Sequence, residues 1–209
     1  MNLVLLLLVI LSVNLHLSKA FVCPMNMSSS APPQKSVLFV CLGNICRSPT
    51  AEAVFTQKVQ QSGIDASEWT IDSCGTGGGS GNWYEVGGMS FHEGESSDAR
   101  MTKAAAKRGI KLTSISRPLN AKDLEKFDLI VGMDGANERA VLEASRFWGG
   151  DEMEALARGK LRLMTNYCRE DKHSRAATVP DPYYGGDRGF ETVTLTACLS
   201  VFTSCASLI

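Results

Sequence analysis

The residues best equipped for chemistry stand at positions 41 to 48, Cys-Leu-Gly-Asn-Ile-Cys-Arg-Ser, with Pro49 next. Just before them, residues 37–40 (Val-Leu-Phe-Val) form a continuous apolar run, the pattern of a strand buried on both faces. After them Ala51, Val54, Phe55 and Val59 recur at helical spacing, which predicts a helix over residues 49–62 with Pro49 tolerated in its first turn. Between strand and helix lies a short turn, eased by Gly43 and Asn44, whose backbone N–H groups curl inward. The helix adds its own N-terminal N–H groups and the positive end of its dipole. Such a nest binds a tetrahedral dianion. Arg47 offers a planar fork for two of its oxygens, and the same positive field suits Cys41 to act as a thiolate nucleophile. Ser48 can hydrogen-bond that sulfur both as nucleophile and as leaving group. The chemistry is phosphoryl transfer without a metal. A plainer alternative is a pair of ordinary buried thiols, or a disulfide between Cys41 and Cys46. A cysteine and an arginine six apart are common. The strand before, the helix after and Ser48 beside Arg47 give the spacing its weight. No Gly-Lys-Ser/Thr follows, so this is not a Walker loop.

The remaining elements must hold that loop in place. Residues 69–72 form a second strand candidate, and residues 75–94 a long glycine-rich loop. A helix is expected over residues 98–108, with Met101, Ala104 and Ala105 on one face and Gly109 at its end. Residues 128–131 read as a third strand. Residues 135–148 read as a helix with Ala140, Val141, Ala144, Phe147 and Trp148 on one side. A fourth strand is expected at 161–164, a loop at 180–186 between two prolines and two glycines, and a terminal core-packing helix over 190–209. That last helix is unusual, since residues 193–209 are uncharged and dense in Ser and Thr. Strands alternating with helices imply parallel pairing, right-handed crossovers and an open, doubly wound α/β sheet. Sites in such sheets lie outside the carboxyl ends of the strands, where Cys41 stands.

Composition narrows the partners. The 209 residues are 44% apolar and 21% charged, with 21 Lys+Arg against 22 Asp+Glu, which argues against a nucleic-acid-binding arm. Seven cysteines (Cys23, Cys41, Cys46, Cys74, Cys168, Cys198 and Cys205) are too few for a disulfide scaffold and odd in number. None has CxxC or CxxH spacing, so a structural zinc site is not expected. Residues 1–20 have the shape of a signal peptide, with an apolar run at 3–11 and a small residue, Ala20, at the cut; a permanent membrane span is the weaker reading. Residues 21–36 contain no acid and many Ser and Pro, the composition of a disordered linker or transit segment. The Ala20–Phe21 junction resembles the bipartite presequences of algae with secondary plastids. A secretory signal with a plain linker is the alternative, so plastid delivery and secretion both stand.

From residue 37 onward the chain resembles the low molecular weight protein tyrosine phosphatase family. VLFVCLGNICRSPTAEAVF at 37–55 and DPYYGG at 181–186 carry the resemblance. IDSCGT at 71–76, SRP at 116–118, FDLIVGMD at 127–134 and GFETV at 189–193 lie between and beyond them in matching order. The resemblance implies a phosphatase domain over 37–209, a three-layer α/β/α fold on a four-stranded parallel twisted sheet. It implies metal-independent, cofactor-free hydrolysis of phosphotyrosine and aryl phosphate monoesters through a phosphocysteine. Cys41 would attack phosphorus and Arg47 hold the equatorial oxygens. Asp181 would protonate the leaving phenolate and then deprotonate water, whereas on its own it reads as a turn or cap aspartate. Gly43 and Cys46 would belong to the phosphate loop, with Leu42 and Ile45 on its floor and Asn44, Ser48 and Ser73 in the network that holds its shape. Tyr183 and Tyr184 would wall the pocket with an aromatic from the long loop, Phe91 by spacing, with Trp83 and Tyr84 as alternatives. Cys46 beside Cys41 would allow a reversible disulfide that shields the thiolate.

Three departures stand out. Ser114 occupies a position where several relatives carry a histidine in the loop-supporting network. GGGSGNWYEVGGMS lengthens the loop between Thr76 and Phe91, and the tail after Val193 lacks the usual acidic and leucine pattern. The substrate implied is a phosphotyrosine protein or a small aryl phosphate. Arsenate reduction, phosphoarginine hydrolysis and silent phosphate binding are the rival functions. Ile45 favours an aryl group over phosphoarginine, and no closely spaced downstream cysteine pair serves arsenate.

Overall fold

In a computed structural model of the chain, residues 35–167, 178–184, 189–191 and 193 are described, and all of them fall in one compact unit. The signal-like segment, linker residues 21–34, Cys168, most of the terminal helix and the side chain of Tyr184 lie outside the described residues, while Lys35 and Ser36, expected at the end of the linker, belong to the first strand because they pair with the strand at 69–75. The apolar run before the cysteine loop forms β1 (Lys35–Cys41), buried at every position but Lys35. It is an inner strand, paired in parallel with β2 (Trp69–Gly75) on one side and β3 (Leu129–Gly132) on the other. The fourth strand, β4 (Leu161–Leu163), pairs in parallel with β3, so the order is β2-β1-β3-β4.

Alternation along β1 divides the core into two. Val37, Phe39 and Cys41 pack with Ala51, Val54, Phe55 and Val59 of α1 (Arg47–Gln61) and with Met101 and Ala105 of α2 (Ala99–Ala106). Leu38 and Val40 point the other way, toward Leu124 of α3 (Ala121–Lys126) and Val141 and Ala144 of α4 (Gly135–Lys160). The result is helix, sheet and helix in three layers, with roughly 1.5–3 kcal/mol contributed by each large side chain buried between them. The doubly wound parallel sheet expected from the sequence is present, and no helix among the described residues is long and apolar enough to cross a membrane.

Two elements differ from the sequence expectation. α3 spans only six residues, too few for a hydrophobic period to show; it is set by a capping box in which Asn120 and Asp123 exchange side-chain and backbone hydrogen bonds. The helix expected over 135–148 runs on to Lys160, broken at Gly149 and Gly150. Gly150 takes φ 63° and ψ −152°, a conformation essentially closed to residues with a Cβ. The chain turns there and resumes as helix, burying Ala157. A glycine pair reads as a stop in sequence, whereas here it is a joint.

Candidate active site

The turn after β1 is held from behind by β2 and the residues that follow it. Thr76 N donates to the carbonyls of Cys41 and Leu42 (both 2.9 Å), and Gly78 N donates to Leu42 O at 2.9 Å. This contact demands a glycine at the end of β2, because a Cβ on Gly75 would lie 2.9 Å from Leu42 O. With those carbonyls tied back, the chain curls at Asn44, in the left-handed region at φ 53°. Asn44 N then points to Cys41 Sγ, 3.3 Å away. α1 begins at Arg47 with no side-chain cap on its N-terminus and no acid in its first turn, so its positive end stays open toward the loop.

Behind the sulfur runs a chain of polar groups, buried at Ser48, Asn44 and Ser73 and half-buried beyond them. Ser48 Oγ lies 3.1 Å from Cys41 Sγ and 3.2 Å from Cys74 O. Asn44 Nδ2 donates to Ser48 Oγ (3.0 Å) and to Ser73 Oγ (2.8 Å), while Asn44 Oδ1 accepts from Arg117 N at 3.0 Å. Ser73 Oγ and Ser114 Oγ both donate to Glu52 Oε2, at 2.6 and 2.5 Å. Ser114 thus joins the network through Glu52. Burial raises the Glu52 carboxyl above its ordinary value, against the pull of the two serine hydrogens.

Arg47 is 3% exposed and faces two carboxylates. Its Nη1 donates to Asp134 Oδ2 at 2.5 Å and to Val179 O at 3.3 Å, and its Nη2 donates to Asp181 Oδ2 at 2.8 Å. Burial disfavours the charged guanidinium, but Cys41, Asp181 and Asp134 more than offset that and hold it above the usual arginine value. Asp134 does double duty, since its Oδ1 caps α4 by accepting from Asn137 N at 2.8 Å. Asp181 is fixed on its other oxygen by Tyr183 N at 3.0 Å.

A cleft of about 320 Å³ opens over these groups, lined by Cys41, Leu42, Gly43, Ile45, Cys46 and Arg47 below and by Phe91, His92, Asp181 and Tyr183 around its rim. Of the three aromatics in the long loop, Phe91 reaches the cleft. Trp83 is buried in the core against α4, edge-on to Trp148, and Tyr84 packs on Phe147 and hydrogen-bonds Glu143. Phe91 N donates to Gly77 O at 3.1 Å, closing the insertion at its base so that the wall survives the added length. Cys41, Cys46 and Cys74 are free, buried thiols. Cys46 is held well above the usual thiol value by burial first and then by Cys41.

Asp134, Glu52 and His92 had not been singled out from sequence. Asp134 was accessible in principle, as an acid at the carboxyl end of β3 just before a helix. Glu52 and His92 gave no such signal, for one is a half-buried acid on an amphipathic helix and the other sits in a turn at φ 70°.

The profile of a family described as "Low molecular weight phosphotyrosine protein phosphatase" matches residues 36–198. The chain is 38% identical over 154 residues to a protein of that description from Schizosaccharomyces pombe, covering 74% of this chain and 84% of that one. It is 36% identical over 159 residues to the one from Homo sapiens, covering 76% and 86%. A crystal structure of a protein tyrosine phosphatase from Entamoeba histolytica, with Hepes in its active site, superposes with a TM-score of 0.68 at 34% identity, over 83% of this chain and 96% of that one.

Proposed function

From the premise that the chain belongs to the low molecular weight phosphotyrosine protein phosphatase family, we propose that it hydrolyses phosphotyrosine and related aryl phosphate monoesters through a phosphocysteine on Cys41. One observation carries the reading: Cys41 Sγ, met by Asn44 N and Ser48 Oγ, lies on the floor of a cleft that also holds Arg47 and Asp181. A phosphoester dianion seats its oxygens on the inward N–H groups and the start of α1. Arg47, anchored through Nη1 to Asp134, passes Nη2 from Asp181 to a phosphate oxygen. Cys41 Sγ then attacks phosphorus as the P–O ester bond breaks, and Asp181, which takes up a proton from water once freed from Arg47, passes it to the departing phenolate. In the second half Asp181 takes a proton from water, the oxygen attacks phosphorus, and the S–P bond breaks to return the thiolate held by Ser48. Leu42, Ile45, Phe91 and Tyr183 supply the apolar walls that an aryl group needs.

Turnover of para-nitrophenyl phosphate tests this. Cys41→Ser should abolish it, and Asp181→Ala should lower it by about 10²–10⁴. Rapid quenching with labelled substrate should place phosphate on Cys41. Activity that survives Cys41→Ser rules out the covalent route. Phosphotyrosine, phosphoserine, phosphoarginine and arsenate compared side by side then fix the substrate class, with phosphotyrosine expected to be the fastest.

A further inference from the structure

Each hydrogen in the polar chain behind Cys41 has a direction, and one group sets it. An ionised carboxylate only accepts, so Ser73 and Ser114 must both point their hydroxyl hydrogens at Glu52 Oε2. Ser73 is then left with lone pairs toward Asn44, and the Asn44 amide turns its Nδ2 to meet them. In that orientation Asn44 Oδ1 receives Arg117 N–H and the second Nδ2 hydrogen goes to Ser48 Oγ. Ser48 is thereby an acceptor from Asn44, and its own hydrogen is released toward Cys41 Sγ, with Cys74 O as its only competitor among the described residues.

We propose that Glu52 is a positioning residue whose carboxylate fixes the donor direction of Ser73, Asn44 and Ser48, so that the last hydrogen of the chain falls on Cys41 Sγ. The inference deepens the proposed function and rests on Cys41 being its nucleophile. When Glu52 takes up a proton it becomes a donor toward one serine. Where that serine is Ser73, its own hydrogen turns against Asn44 Nδ2, donor facing donor, and the direction of the chain is no longer fixed. The groups that face Glu52 are Ser73 and Asp72 from β2 and Ser114 and Arg117 from the segment before α3; Asp72 favours its protonation, while the serines and Arg117 oppose it. Burial is the largest influence and moves its titration upward.

The test is alkylation of Cys41 in the full chain by iodoacetamide, mapped by mass spectrometry and protected by inorganic phosphate, between about pH 5 and 9. Glu52→Met removes the acceptor and should slow this reaction about ten-fold near pH 6, with the difference closing toward pH 9. Glu52→Gln sets a donor beside its acceptor, as the protonated carboxyl does, and cannot titrate. It should hold the reaction near the slow acid-form rate at neutrality and flatten the rise that wild type shows there. A merely structural role would lower both melting temperatures and leave the alkylation profiles superimposable, and that result overturns the proposal. Should Glu52→Met fail to fold, Ser114→Ala decides: losing one donor makes Glu52 more basic, so the acid limb must move to higher pH, and an unmoved limb overturns the proposal. Failure of the underlying function looks different, because wild type itself would then show no phosphate-protected alkylation of Cys41.

Discussion

Arg47 carries the most contested charge in the site, since one guanidinium serves Asp134 and Asp181 at 2.5 and 2.8 Å with only 3% of its side chain exposed. Nη1 is committed to Asp134 and Nη2 is shared, so the fork is held by one tine while the other changes partner. Lysine in its place keeps the charge but offers no fork and no fixed plane. Arg47→Lys should therefore lower kcat/KM for para-nitrophenyl phosphate by about 10²–10³, the range for one lost donor at a developing charge. Asp134→Asn should act on the same quantity through Arg47, lowering kcat/KM less. A variant with unchanged kinetics would mean that Asp134 is only a helix cap. Cys41, Arg47 and Ser48 were legible because they are contiguous and bracketed by a strand and a helix. Glu52 was not, and Asp134 only as an acid that ends a strand, because each acts through partners distant in sequence: Arg47 lies 87 positions from Asp134, and Ser114 lies 62 from Glu52.

At the next scale, α2 connects the cysteine loop to the segment that carries Asp181. Asp98 caps α2 by accepting from Arg100 N at 2.8 Å, and its own N–H donates to Ile45 O at 2.8 Å. Arg100, paired with Asp98, lies over the rings of Tyr183 and Phe190 at 5.3 and 4.6 Å. The hydrogen bond from the Arg100 side chain is the largest influence holding the Asp98 carboxyl below its ordinary value. Because the folded value is the lower one, the contribution of Asp98 is complete above the unfolded value and is lost as pH falls through the folded one. Asp98→Ala should cost about 1 kcal/mol at neutral pH, read by urea denaturation, and the gap to wild type should narrow in acid. A gap that stays constant with pH would assign the loss to packing. The strands and α1 were legible from long apolar runs and helical spacing. α3 was not, for a capping box around six residues has no period. The insertion was visible only as length. What fastens it, Trp83 in the core and Trp148 Nε1 on Tyr84 O at 2.9 Å, is a contact between segments 64 residues apart that no local pattern encodes.

Across the whole molecule, the cleft draws on the end of β1, the base of the insertion, the start of α4 and the segment around Asp181, so anything bound there ties distant parts of the chain together. Binding to the native state alone stabilises it by RT ln(1 + [L]/Kd), about 2.7 kcal/mol at a hundred-fold excess over Kd. For a chain of this size that raises the melting temperature by roughly 5–10 °C. Inorganic phosphate should produce such a rise, and Arg47→Lys should remove most of it. The informative variant is Asp181→Asn. In the free protein the Asp181 carboxylate occupies Arg47 Nη2, so an entering phosphate must displace it and approach a second negative charge. Neutralising Asp181 removes both obstacles. Its starting melting temperature should fall with the loss of the ion pair, yet its rise at a fixed phosphate concentration should exceed that of wild type. A smaller rise would mean that Asp181 helps to hold the anion rather than competing with it. The exchange of partners on Arg47 would then give way to a route in which Asp181 enters already protonated.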